Sequence, residues 1–295
     1  AGTRNTTGGA NHFSGFQAGQ NNTTGSGNYF SGYLAGQSNT TGGNNHFSGY
    51  LAGTRNTTGG ANHFSGFQAG RANTTGSNNY FSGFLAGPNN TTGSENVYIG
   101  YRAGVIGNYT NAIAIGANVS ARGNNTVTIG NSNHTSIGGY QPWSNLSDGR
   151  FKREVAEDVP GLEFVTRLRP VSYRVDRAAL QDFLHREEGQ SQQSLSEQPR
   201  ETGFIAQEVE KVAKSINYDF NGIIRPQSGQ DHYQLSYATF VVPLVQAVQE
   251  QQALIEKQQT QIEALQAKVA QFKKLESRLQ VLERGSSSPT DALSQ

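Results

Sequence analysis

Aromatic positions in the first third of the chain recur with a long, fixed period. One column reads Phe13, Phe30, Phe47, Phe64, Phe81, Tyr98, and a second reads Phe16, Tyr33, Tyr50, Phe67, Phe84, Tyr101. Between them runs an unbroken glycine column, Gly15, Gly32, Gly49, Gly66, Gly83, Gly100. Asn-Thr-Thr-Gly begins at Asn5, Asn22, Asn39, Asn56, Asn73 and Asn90, a spacing of 17 each time. Ala-Gly keeps step from Ala1 to Ala103, and residues 1–17 and 52–68 are identical. Six uninterrupted units therefore fill 1–102. Glycine and asparagine are poor helix formers, so a helix does not explain the pattern. A solenoid of short strands does: each unit makes one coil, like side chains stack, and glycine turns the corners. Six to eight coils at about 4.8 Å each predict a rod of roughly 30–40 Å. The period then shortens: Ala112-Ile113-Ala114-Ile115-Gly116 is echoed 14 residues later by Thr126-Val127-Thr128-Ile129-Gly130.

The second half is patterned differently. Pro170 to Val175 alternates β-branched and aromatic residues and predicts a strand. Ala206 to Val212 predicts a helix, and the Gln-, Ser- and Glu-rich stretch 186–200 a solvated loop. From Ser236, a candidate cap, a long helix is predicted. Val241, Val248, Ile255, Ile262 and Val269 recur every seven residues, with Leu244, Leu265, Phe272 and Leu279 on the matching second position. That is a coiled-coil seam, interrupted at Gln251 and Gln258, which are suited to setting register. The bland alternative is a helix packed on its own domain. The seam by itself does not choose dimer from trimer. The expected division is a repeat rod at 1–131, a connector at 132–146, a small α/β domain at 147–235, a coiled-coil helix at 236–284 and a disordered tail at 285–295.

Composition sharpens this division. Of 295 residues, 36 are glycine and none is cysteine, so disulfide and thiol chemistry are excluded. Residues 1–146 hold very few acids, while 147–295 hold nearly all the Asp, Glu and Lys. A net charge of +1 implies no strong electrostatic pull toward nucleic acid or membrane, and no nucleic-acid partner is expected. No apolar run approaches the roughly 18 residues that span a bilayer. Residue 1 is not Met and falls inside a repeat, so a longer protein is expected.

The Ala-Ile-Ala-Ile-Gly pattern resembles the head repeats of trimeric autotransporter adhesins. That resemblance implies a left-handed parallel β-roll with three chains side by side over 1–131. Three further blocks occur in order: Ser147-Asp148-Gly149-Arg150-Phe151-Lys152-Arg153-Glu154-Val155, then Leu168-Arg169-Pro170-Val171-Ser172-Tyr173, then Thr202-Gly203-Phe204-Ile205-Ala206-Gln207-Glu208-Val209. Together with the long helix they resemble the intramolecular chaperone domain of phage endosialidases and tail spikes, the peptidase S74 family. The resemblance covers 147–283. It implies a homotrimer whose chaperone cuts itself between Leu146 and Ser147, with Ser147 as nucleophile and Lys152 as base. Phe151 departs from the smaller aliphatic residue usual in the family. A serine hydroxyl needs a base, and lysine serves only when neutral, which burial or nearby positive charge favours. Arg150 and Arg153 could supply that charge. Asp148, Arg150, Gln207 and Glu208 are possible supporting residues, with a structural role as the alternative. His232 is equally a candidate or a surface histidine.

The expected fold is thus an N-terminal parallel β-roll or β-solenoid, then a small α/β chaperone domain ending in a long coiled-coil helix. The expected setting is extracellular, on a phage tail fibre or a bacterial surface, with an unidentified host receptor or glycan as possible partner. No cofactor is expected. Calcium coils need repeated Asp, which these coils lack. The histidines at 12, 46 and 63 alternate with Tyr29 and Tyr80, which suits a tolerant stacked position better than a metal site. Ice binding and Asn glycosylation fit the Asn-Thr-Thr triplets less well than turn and ladder roles. A monomeric solenoid and a fibre whose chaperone does not cleave remain the competing readings.

Overall fold

The structure is a computed structural model. It describes residues 1–131, 133–134, 136–183, 196, 198–227, 229 and 231–286 (side chains of 181 and 284–286 apart). The expected loop at 186–200 and tail at 285–295 lie largely outside these residues.

The chain divides into two compact units, the first beginning at Ala1 and running to Leu146, the second beginning at Ser147. In the first, eight three-residue strands, β1 (His12–Ser14), β2 (Tyr29–Ser31), β3 (His46–Ser48), β4 (His63–Ser65), β5 (Tyr80–Ser82), β6 (Val97–Ile99), β7 (Ile113–Ile115) and β8 (Val127–Ile129), pair in sequence order. All are parallel and in register, so Phe13 faces Phe30 and Phe30 faces Phe47. This is the parallel solenoid that the 17-residue period predicts.

The core of the solenoid is built from columns. The rings from Phe30 through Phe81 to Tyr98 are fully buried and stack at 4.8–4.9 Å, with interplanar angles of 4–9°. The alanine column from Ala18 to Ala103 is buried beside them. The rest of the core is polar. Asn39, Asn56 and Asn73 each donate to the amide oxygen of the preceding coil at 2.7 Å. Each also donates to a glycine carbonyl three residues on, at 2.8–2.9 Å. A second column, Asn28 to Asn96, accepts backbone N–H groups from the next coil at 2.9–3.0 Å. These amides are buried but satisfied, which is the condition for burying them at all. Glycine is required at the strand ends: at Gly15, Gly32, Gly49, Gly66, Gly83 and Gly100, φ lies between 126 and 137°. A Cβ on the first five would lie 2.4 Å from the next coil's glycine oxygen.

Where the period changes, the ladder ends. Gly107 stands 17 residues after Asn90, where another asparagine would continue the column. Asn90 Oδ1 is left buried without a hydrogen bond, and so is the Tyr98 hydroxyl. Burial pushes the Tyr98 phenol far above its usual value, with Tyr109 adding to the shift.

The second unit packs around Phe164, Val209, Ala213, Phe220 and Ile223. Its elements include α1 (Leu162–Val165), β9 (Val171–Tyr173), β10 (Glu201–Gly203), α3 (Ala206–Ser215), β11 (Ile223–Ile224), β12 (Gln234–Leu235) and α4 (Val241–Ser286); α2 (Arg177–Phe183) falls in the first unit. β9 pairs with β10 and β11 with β12, both antiparallel. Phe164 meets Tyr218 edge-on at 5.2 Å and Phe220 at 5.0 Å. The start of α4 packs here: Ala247 is buried, and Glu250 accepts the Leu162 backbone N–H at 2.7 Å. Ser236 precedes a 3₁₀ turn, Tyr237–Phe240, rather than α4 itself, and its side chain makes no capping hydrogen bond. The capping expectation is corrected on that point. From Gln251 to Glu283 every residue of α4 is exposed, including Ile255, Ile262, Leu265, Val269 and Phe272 at 47–69%. The seven-residue seam is therefore present and uncovered in the single chain. No helix among the described residues is long and apolar enough to cross a membrane.

Asn56→Ala should remove one rung, leaving Asn39 Oδ1 buried without a donor and Asn73 Nδ2 with one hydrogen bond fewer, and destabilise the solenoid by about 2 kcal/mol or more. Tyr98→Phe removes an unpaired buried hydroxyl and should be neutral or stabilising by about 1 kcal/mol. Thermal unfolding followed by circular dichroism checks both.

Candidate functional site

The Ser147 segment is ordered by its own side chains. Asp148 caps a 3₁₀ turn, Gly149–Phe151, by accepting the Arg150 backbone N–H at 2.9 Å. The same carboxylate grips the Arg150 guanidinium, Nε at 3.0–3.1 Å and Nη2 at 2.6 Å. The Arg150 hydrogen bonds hold the Asp148 carboxyl below its usual range, and the pair holds Arg150 correspondingly high. The turn reverses the chain enough for Lys152 Nζ to donate to Ser147 Oγ at 3.0 Å. A separation of five residues does not place two side chains on one helix face; this capped turn is how they meet. Arg153 closes the far side by donating to the carbonyls of Arg150 and Lys152 at 2.8 and 3.0 Å. The departing residue Phe151 is 66% exposed, with the Arg150 guanidinium 5.7 Å from its ring. Leu146, Ser147 and Lys152 are all exposed.

The other candidates lie elsewhere. Glu208, in the first turn of α3, is held by the Arg169 guanidinium, which keeps its carboxyl below the usual range. Gln207 and His232 line a cleft of about 390 Å³ with Tyr173, Phe204, Tyr233 and Tyr237. Among the described residues, the hydrogen bonds of the Ser147 turn come from residues 147–153 alone. The structure thus brings together Ser147, Asp148, Arg150 and Lys152, and does not bring Gln207 or Glu208 to them.

Sequence reasoning missed the strongest polar cluster. Glu210 on α3 accepts from Arg225 Nε at 2.6 Å, Lys214 Nζ at 3.1 Å and the Tyr233 hydroxyl at 3.1 Å. The Lys214 pair was legible as an i,i+4 contact; the Arg225 and Tyr233 partners required the tertiary fold. Arg225 is the largest cause that draws the Glu210 carboxyl down to about 2.

A parallel solenoid followed by a small α/β unit with a long helix is the class that this fold defines. Within it, residues 147–218 match the family model described as chaperone of endosialidase, peptidase S74. No curated protein and no solved structure matches the chain. The matched segment begins at Ser147, the residue that also opens the second compact unit.

Glu210 has a folded value near 2 against an ordinary 4.5, so its stabilisation is complete above pH 4.5 and is lost as pH falls from there toward 2. Glu210→Gln should flatten that acid limb in thermal melts taken between pH 7 and about 2. An unchanged acid limb would show that the carboxylate is not held as described.

Proposed function

We propose that this chain is a segment of a trimeric extracellular fibre whose C-terminal chaperone aligns three chains and then cuts itself free between Leu146 and Ser147. The fibre would belong to a phage tail or a bacterial surface. The observation that carries the cleavage reading is the 3.0 Å Lys152–Ser147 contact at the first residue of the family-matched segment. The exposed seam of α4 supports assembly from copies of the chain.

The chemistry proposed is a single event per chain. The Ser147 hydroxyl attacks the Leu146 carbonyl carbon while its proton passes to Lys152. The Leu146–Ser147 C–N bond then breaks, and the Lys152 proton goes to the departing Ser147 nitrogen. This leaves an ester between the Leu146 carbonyl and Ser147 Oγ, with a free amine on Ser147. Water hydrolyses the ester, which restores the hydroxyl. Lys152 can start this only as a neutral amine, and here it is exposed and donating. Burial on assembly would favour the neutral form. Asp148 and Arg150 act on geometry, by holding the turn.

The parent chain should give two masses split at Leu146–Ser147, and Ser147→Ala one intact mass. An intact parent would remove the cleavage step and leave a non-cleaving trimerisation domain, the alternative reading. Asp148→Ala loses the cap and should slow cleavage on the order of tenfold. Densitometry of a time course measures that rate.

A further inference from the structure

We propose that the step from His46 to His63 is an acid-sensitive joint in the solenoid: below about pH 6 both imidazoles take a proton, and the coils that carry β3 and β4 loosen from one another. The inference needs neither the cleavage nor the trimer.

The column that begins at His12 runs His12, Tyr29, His46, His63, Tyr80, and one step in it pairs two histidines. β3 and β4 are in register there, so His46 faces His63, with ring centroids 4.7 Å apart and 19° between the planes. The other steps up to Tyr80 set a histidine against a tyrosine, at 4.6–4.9 Å. The difference matters once a ring is charged. A cation is attracted to the face of a tyrosine ring, whereas two stacked imidazolium rings repel. Two unit charges at that separation weaken a contact by about fourfold under fully aqueous screening and by a few hundredfold at the screening typical of a protein surface.

These coils hold no carboxylate to offset the charge. The strands packed on β4 are β3 and β5, and the titratable groups they set against His63 are His46 and Tyr80. His46 has Tyr29 on its other side. Residues 1–94 contain no Asp or Glu, and their charged side chains are Arg4, Arg55 and Arg71. A second copy of the chain, aligned in register, brings the same coils and so no carboxylate either. Burial, then the charge of His46, holds the half-buried His63 imidazole below its usual range. A folded value below the unfolded one gives stability that is complete above pH 6.5 and is lost as pH falls from there. The pair does not suit a shared metal. Parallel rings at this spacing keep like nitrogens too far apart, since two bonds from one zinc span roughly 4.2 Å at most.

The joint has its own reporters. Each strand is three residues long. The His46 N–H donates to the Asn62 carbonyl and the Gly66 N–H to the Ser48 carbonyl, both at 2.8 Å, and these two bonds bracket the pair. Hydrogen exchange of the full chain, read by mass spectrometry and normalised to the unfolded chain at each pH, follows those amides. The expected result is at least a tenfold loss of protection in peptides over 44–50 and 62–68 between pH 7.5 and 5, with peptides over β1 and β6 changing less than threefold. His63→Tyr and His46→Tyr each remove the pair, and Tyr29 and Tyr80 show that the column accepts that side chain. Both variants should keep their protection at pH 5. His12→Tyr leaves the pair in place and should lose protection as the parent does. No loss in the parent overturns the proposal, and so does an equal loss in every coil. A loss that persists in both pair variants, or one that His12→Tyr abolishes, assigns the effect to another group and overturns it as well.

Discussion

The hydrogen bond that crosses from one coil to the next is what the rest of the solenoid depends on. A core with so few aliphatic side chains cannot rely on apolar burial alone. It fills its interior with asparagine, and a buried amide is tolerable only when its donors and acceptor are engaged. Each rung is satisfied by the coil before and the coil after it. No coil is therefore complete alone, and identity of residues from coil to coil follows from geometry. The same rule explains the defect at Asn90, where the period changes and the rung ahead is missing.

Repetition that satisfies the core also creates an ambiguity between chains. Residues 1–17 and 52–68 are identical, so two copies slipped by whole coils would meet nearly the same columns. The array supplies little energy to reject such a slip. A non-repeating element that sets one register removes the ambiguity before the coils engage. The second unit has that character: its core uses each aromatic once, and the seam of α4 is marked by Gln251 and Gln258. A polar residue at a core position is a recognised way to fix register at some cost in stability. Fixing the ends together also raises the local concentration of the segments that must align.

Sequence periodicity made the repeat region and the long helix legible because both are one-dimensional. A column in a solenoid and a seam on a helix are arithmetic on residue number. The 17-residue period gave the strand positions, the glycine corners and the stacked role of His12, His46 and His63. The small α/β unit was legible in outline only, since Glu210 finds Arg225 and Tyr233 through tertiary contacts between unrelated stretches. Ser236 shows the limit of local rules: a good capping residue stands at the right place, yet the chain enters α4 through a 3₁₀ turn and leaves that side chain uncommitted to the cap. The Ser147–Lys152 spacing was uninformative until Asp148 was seen to fold the segment back on itself.

That turn bears on timing. In the single chain Ser147 and Lys152 touch while both are exposed, and a lysine takes a hydroxyl proton only as the neutral amine, a form that burial favours. Contact and activation are then separable. The Asp148–Arg150 clamp supplies contact from six consecutive residues, before any partner arrives. Activation needs a drier, more positive setting, which the proposed assembly would provide around the same lysine. In the proposed assembly, a cut that waits for alignment would remove the seed only once the coils are in register. From then on, persistence would rest on the barrier to unzipping the ladders rather than on the equilibrium that formed them.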